Sequence, residues 1–232
     1  MTDKRNHGAV NEHVAESNAV DNLRIFWLKH GKKVTAVLAL VVVLGGGYML
    51  YKSFVQKPRI EEALDKSFKA EEYFKKDSFN LALNGDGVNQ GFIAISKKYS
   101  GTPTGNLANF YAGVCYVKLN QNDKAVTYLK DFKTGSKQIQ QRAYKLLGDA
   151  YGDMGKGAEA LDNYKKAAKE FEADQAACAE ALFSAAYLAQ HVLNNKEEAV
   201  GLYKELKEKY PRTQQGFDAD KYLAQLGVYN VN

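Results

Sequence analysis

Chemistry-bearing residues are scarce in this chain of 232 residues. It has two cysteines, Cys115 and Cys178, with no CxxC, and two thiols make no disulfide framework. Both lie in helical, apolar surroundings and read as buried packing residues. A single bridge between them stays open, because sequence gives no distance. Neither thiol stands in a lipobox near the N-terminus. Three of the four histidines, His7, His13 and His30, precede or flank an apolar run, and His191 stands alone. A metal site needs several ligands together, so no metal and no cofactor is expected. Gly85-Asp86-Gly87 and Gly152–Gly157 are glycine-bearing turns that follow no strand into a phosphate loop. No nucleophile, base and orienter combine. The expectation is a chain that is not an enzyme and takes no small-molecule substrate.

An excess of one charge is also missing where it would matter. The net charge is +5, but residues 1–57 hold 8 Lys/Arg against 4 Asp/Glu. The remainder is close to neutral, which argues against nucleic acid as a partner.

One long apolar run is present. Val34–Tyr51 carries no charge over 18 residues, which as a helix rises about 27 Å. That nearly matches a hydrocarbon core of about 30 Å. Lys32, Lys33 and Lys52 can snorkel over the shortfall, and Trp27, Tyr48 and Tyr51 suit the aromatic belts. The run ends Tyr-Met-Leu-Tyr-Lys rather than in a small-residue cleavage site, so an uncleaved anchor is expected. Leu23, Phe26, Trp27 and His30 share one helical face just before it, as an amphipathic lead-in. Residues 1–19 are polar, lack periodicity and are expected to be disordered. The organisation is then a tail and lead-in over 1–31, a transmembrane anchor over 32–54 and a folded domain over 58–232. Basic residues do not decide orientation: Arg24, Lys29, Lys32 and Lys33 on one side balance Lys52, Lys57, Arg59 and Lys66 on the other. Gly45, Gly46 and Gly47 inside the span are candidates for contact with a partner helix, since small residues let backbones touch.

Beyond the span the chain echoes itself. Lys98, Tyr99, Thr102, Gly105, Ala108 and Tyr111 return as Lys209, Tyr210, Thr213, Gly216, Ala219 and Tyr222, always 111 positions later. Two weaker copies lie between, which is the signature of stacked helical hairpins. Small residues mark where two helices cross: Gly113, Gly148 and Ala186 on first helices, Ala125, Ala160 and Ala199 on second helices. Leu129, Tyr164 and Tyr203 follow the alanines by four positions, and Tyr116 and Tyr151 follow the glycines by three. Val88 is the expected equivalent of those alanines in a degenerate first unit. Ile60, Ala63, Leu64 and Phe68 read as one apolar stripe, and Pro211 stops the last second-helix.

Leu147-Gly148-x-x-Tyr151 with Ala160, Tyr164 and Ala167 resembles the tetratricopeptide repeat, as does Ala112-Gly113-x-x-Tyr116 with Ala125. Phe132 stands where that pattern has a small residue, and the unit around Ala186 is longer. The resemblance implies an all-α array of helical hairpins behind one transmembrane helix, binding proteins on the concave face made by first helices. It places Phe110, Val114, Val117, Lys118, Arg142, Lys145, Asp149, Asp153, Phe183, Tyr187 and Gln190 on that face. Such a groove suits an extended or helical peptide.

The whole order, from Asn22-Leu-Arg-Ile-Phe-Trp-Leu-Lys-His-Gly-Lys-Lys33 through one anchor to degenerate repeats, resembles the tetratricopeptide-like accessory subunit of the bacterial Sec translocon. That resemblance implies a non-enzymatic scaffold in the inner membrane, with a cytoplasmic N-terminus and a periplasmic repeat domain. Its partners would be the Sec translocon and membrane-anchored periplasmic chaperones. The Tyr210-Pro-x-Thr213 ending equally resembles repeat proteins of outer-membrane assembly and envelope coordination.

Overall fold

The structure, a computed structural model, describes the backbone of residues 7–229 and the side chains of 21, 22 and 24–229. The chain divides into two units, residues 1–58 and 59–232.

The first unit is built on helix α1, His7–Tyr51, followed by a π-helical segment, Lys52–Gln56. Residues 1–6 of the expected tail lie outside the described residues. From His7 onward the backbone is helical, although the polar stretch has no apolar period. Once a helix exists, each further residue adds one hydrogen bond for one residue fixed, so the polar stretch can extend it without an apolar period. One helix among the described residues is long and apolar enough to cross a membrane, and none of its apolar window is buried. On the lead-in, the rings of Phe26 and His30 lie 5.2 Å apart.

The second unit is all-α, as the sequence pattern led one to expect. From Arg59 it takes in most of α2 (Lys57–Lys75), then α3 (Phe79–Asn84) and α4 (Phe92–Lys98). Three full hairpins follow: α5 (Pro103–Lys118) with α6 (Asn122–Asp131), α7 (Lys137–Asp153) with α8 (Gly157–Glu170), and α9 (Gln175–His191) with α10 (Lys196–Lys209). Helix α11 (Gln214–Gln225) packs on α10.

Side-chain size sets the hairpin geometry. Gly113 and Gly148 sit where α5 meets α6 and α7 meets α8. A Cβ on Gly113 would lie 2.5 Å from Leu129 Cγ, and one on Gly148 would overlap the Tyr164 ring. Ala125, Ala160 and Ala199 are wholly buried on the second helices. Two helices approach this closely only where one of them has no side chain to interpose.

Each first helix ends in the same turn. Asn120, Gly155 and Asn194 take φ of 55°, 71° and 50°, and Asp77 at the end of α2 takes 55°. The next N–H reaches back five residues: Gln121 to Tyr116 O, Lys156 to Tyr151 O and Ser78 to Tyr73 O, each at 2.9 Å. This satisfies carbonyls left open at the helix end. In α9 the Asn195 N–H instead reaches Ala189 O at 2.8 Å, one residue further back, which accounts for the longer unit.

That shared turn makes the end of α2 a first helix and α3 the start of its second helix. The residue equivalent to Ala125, Ala160 and Ala199 is therefore Ala82, which is wholly buried, and not Val88. Val88 is 91% exposed at the tip of a loop between α3 and α4. The second helix of this unit is interrupted by inserted residues, and those shift the apparent register. The insertion is held tightly. The Asp86 carboxylate accepts from Val88 N–H (2.9 Å), Asn89 N–H (2.6 Å), Asn89 Nδ2 (2.8 Å) and the Tyr73 hydroxyl (2.7 Å).

The α2 stripe also needs correction. Leu64 and Phe68 are 63% and 70% exposed, while Ala63, Ser67 and Ala70 are buried. The face that packs is again the one with small side chains, because α2 lies close to its neighbours. Arg59 donates to Lys98 O at 2.7 Å, Tyr99 donates its hydroxyl to Glu62 at 2.9 Å, and Lys98 pairs with Glu62 at 2.9 Å.

The 111-residue echo is a joint between a second helix and the next first helix. Thr102 donates its hydroxyl to Tyr99 O at 2.7 Å and accepts from Gly105 N–H at 3.0 Å. Thr213 does the same with Tyr210 O (2.8 Å) and Gly216 N–H (3.1 Å). Phe92 stacks on Tyr111 with centroids 5.0 Å apart, and Tyr203 stacks on Tyr222 at 5.1 Å.

Candidate partner-binding groove

First helices α5, α7 and α9 together line a cleft of about 630 Å³. Four residues expected on the binding face, Phe110, Val114, Arg142 and Lys145, open into it. A second cleft, of about 470 Å³, takes four more: Asp149, Asp153, Phe183 and Tyr187. The remaining three line neither. Val117 is half-buried against the core, Lys118 is exposed on α5, and Gln190 accepts the Tyr203 hydroxyl at 3.0 Å.

The aromatic residues of this face are not equal. Phe110 is part of a ring cluster, 5.2 Å from Phe132 and 5.8 Å from Tyr111. Phe183 lies 5.1 Å from Tyr222 and 6.2 Å from Tyr203. Both serve packing as well as the cleft wall. Tyr187 is 46% exposed, with the His191 ring 4.3 Å from its own.

Charges are ordered along α7. Lys145 pairs with Asp149 at 2.8 Å and approaches Glu180 at 3.6 Å. Asp149 also accepts the Tyr164 hydroxyl at 2.8 Å. Burial, and then the Asp149 charge, push the Tyr164 hydroxyl above its ordinary pKa, so it remains a donor.

Sequence reasoning missed several lining residues. Phe74, at the end of α2, and Tyr111 complete the aromatic wall of the first cleft. Gln141 lines it too and is buried; its Nε2 donates to Ala167 O and to Cys178 Sγ, both at 3.1 Å, and Oε1 has no partner. A buried glutamine in a first helix is invisible to an apolar period. A third cleft, of about 710 Å³, lies between α6, α7 and α8, with Phe132, Tyr144 and Lys166 among its walls. Lys166 there is tied to Asp162 at 2.6 Å.

Cys115 and Cys178 are free and buried. Burial lifts the Cys115 thiol to about 12 and raises that of Cys178. Among the described residues no group of three or more His, Cys, Asp or Glu is placed to hold a metal ion. On α1, a Cβ added at Gly45, Gly46 or Gly47 would meet nothing within 4 Å, so that glycine face is open.

Two stretches, residues 107–134 and 180–213, match the tetratricopeptide repeat family. They cover most of the α5–α6 and α9–α10 hairpins. The α7–α8 hairpin between them carries the Leu147-Gly148-x-x-Tyr151 pattern but is not part of the match. No curated protein matches the chain.

Proposed function

We propose that this chain is a non-enzymatic scaffold, held in a membrane by α1, that binds protein partners in the groove formed by α5, α7 and α9. The observation that carries this reading is the exposed ring of Tyr187. The tyrosines Tyr116, Tyr151, Tyr164 and Tyr203 of the other helices are buried, whereas Tyr187 of α9 faces an open cleft beside the charged stripe of α7. Exposed rings beside charges are common in protein-binding surfaces.

The site of action we infer is the bacterial inner membrane, with the groove on the periplasmic side, next to the Sec translocon and membrane-anchored chaperones. The lead-in and anchor support it through their resemblance to the translocon subunit. The rival reading, an envelope-assembly or cell-division adaptor, leans on Tyr210-Pro-x-Thr213. That motif builds a helix joint, which also exists at Tyr99–Gly105, so it speaks to fold more than to function. The open glycine face at Gly45–Gly47 is a second candidate contact, for a partner helix within the bilayer.

The test is a photo-crosslinking amino acid at Tyr187, and at Thr127 on α6 as a control, in intact membranes. Adducts to Sec or chaperone proteins from position 187 alone are expected. Equal labelling from both positions, or none from 187, would remove the groove as the binding face.

A further inference from the structure

Helix α7 is charged against its own dipole. Helices α6, α8 and α10 each carry acid in the first turn and base in the last. That is the stable order, because aligned peptide units leave the N-terminus positive and the C-terminus negative. Helix α7 has no acid in its first turn and no base in its last; it begins with Lys137 and ends with Asp153. Charges placed against a local rule in a groove point to a use for them.

Arg142, Lys145, Asp149 and Asp153 lie within an arc of about 80° on α7, at about 100° per residue. The inner pair neutralises itself through the 2.8 Å Lys145–Asp149 contact, and it separates the two clefts. The outer pair is left over. Arg142 has no ion pair among the described residues, and Asp153 meets only Asn122 Nδ2, at 3.3 Å. Both are exposed. Asp174 and Glu180 line the same cleft as Arg142, but Asp174 caps α9 by accepting from Ala177 N–H at 3.1 Å and Glu180 is approached by Lys145; Lys118, at the place on α5 that corresponds to Asp153, forms no ion pair among the described residues.

Resting on the groove reading above, we propose that this stripe holds an extended peptide segment bearing one acidic and one basic side chain, the acid at Arg142 and the base at Asp153. The stripe also sets their spacing. Arg142 and Asp153 are separated along the helix by about 16 Å. An extended chain covers that in about five residues. The walls formed by Val114 and Tyr187 take apolar side chains of the same segment.

The test uses the full chain in detergent micelles and four fluorescein-labelled peptides on one Ser/Val host, read by fluorescence anisotropy. They carry Glu and Arg, Gln and Gln, Glu and Glu, or Arg and Arg, each pair five positions apart. The Glu/Arg peptide is expected to bind about fivefold more tightly than Gln/Gln, the scale of two solvent-exposed ion pairs. The advantage should shrink as salt screens the charges. Asp153→Lys should turn the preference to Glu/Glu, and Arg142→Glu should turn it to Arg/Arg, with melting temperatures unchanged. Equal affinities for all four peptides overturn the charge reading while leaving a peptide groove. Binding of none overturns it as well, and the Tyr187 crosslinks, which do not depend on these peptides, then decide whether the groove itself stands.

Discussion

The first hairpin and the last hand the chain on through the same joint, but the helix leading into that joint differs. Before Tyr210 the second helix is whole, α10 from Lys196 to Lys209. Before Tyr99 it is broken into α3 and α4 around a loop that Asp86 ties together. Ile95 and Leu206, Phe92 and Tyr203, and Tyr99 and Tyr210 are nonetheless buried alike. What the array requires is a matched last turn and a matched joint; the start of the second helix is free to vary. Inserted residues are tolerated there because they bulge outward and find their own hydrogen bonds, as the exposed Val88 tip shows.

The sharpest test of that equivalence is a methyl group at each joint. A Cβ on Gly105 would overlap Tyr99 O, and one on Gly216 would overlap Tyr210 O. Backbone cannot swing aside as a side chain can, so Gly105→Ala and Gly216→Ala are each expected to cost about 3 kcal/mol in urea unfolding. Tolerance at one joint alone would show that the two are not the same structure.

A smaller effect separates the inside of a hairpin from its outside. Gly148→Ala pushes a methyl into the Tyr164 ring and should cost about 2 kcal/mol. Gly201, on α10, has open space around its missing Cβ, so Gly201→Ala should stabilise by about 0.5–1 kcal/mol through helix propensity. Thermal melts of the two variants should move in opposite directions.

The inserted loop should respond to acid while the joint at Tyr210 does not. Hydrogen bonds from Asn89, Tyr73 and Val88 hold the Asp86 carboxyl well below its usual 3.8. A depressed pKa stabilises the fold above the unfolded value, and that contribution is lost as pH falls below about 3.8. Protection factors at the Val88 and Asn89 amides should fall over that range, and in Asp86→Asn they should already be low at neutral pH. Gly216 should keep its protection throughout.

The smallest expected effect is none. Cys115 belongs to the core nearer the first hairpin and Cys178 to the core nearer the last, and both are wholly buried. With the Cys115 thiol pushed up to about 12 and that of Cys178 raised, neither should react with a thiol reagent at pH 8 until denaturant is added. Reaction of one alone would show that its half of the array opens first.

The crossing points of the full hairpins were legible in the sequence because a close approach allows only glycine or alanine, and Gly113, Gly148 and Ala160 say so directly. The first hairpin was not. Ala82 has the same role, but the residues inserted after it moved the apparent match to Val88, and spacing alone cannot tell an insertion from a longer period. On α2, the apolar stripe includes Leu64 and Phe68, which are exposed, because an apolar period weighs hydrophobicity and this contact selects for small side chains. The groove was half legible. The repeat pattern placed Arg142 and Asp153 on one face, but a helix pattern does not reveal which charges are already paired. That required the Lys145–Asp149 contact. Gln141 gave no signal, since polar residues in a first helix usually face water.

The two joints also define a cassette. Residues 100–210 enter behind one Tyr-x-x-Thr-x-x-Gly joint and end by beginning the next. The surface that α10 offers to α11 at Tyr203, Leu206 and Tyr210 is the one that α4 offers to α5 at Phe92, Ile95 and Tyr99. A second copy of the cassette placed after Tyr210 would therefore meet a surface its first helix already fits, and α11 would pack on its last helix as it packs on α10 here. A chain lengthened by one cassette would carry a second copy of the α7 stripe from Arg142 to Asp153.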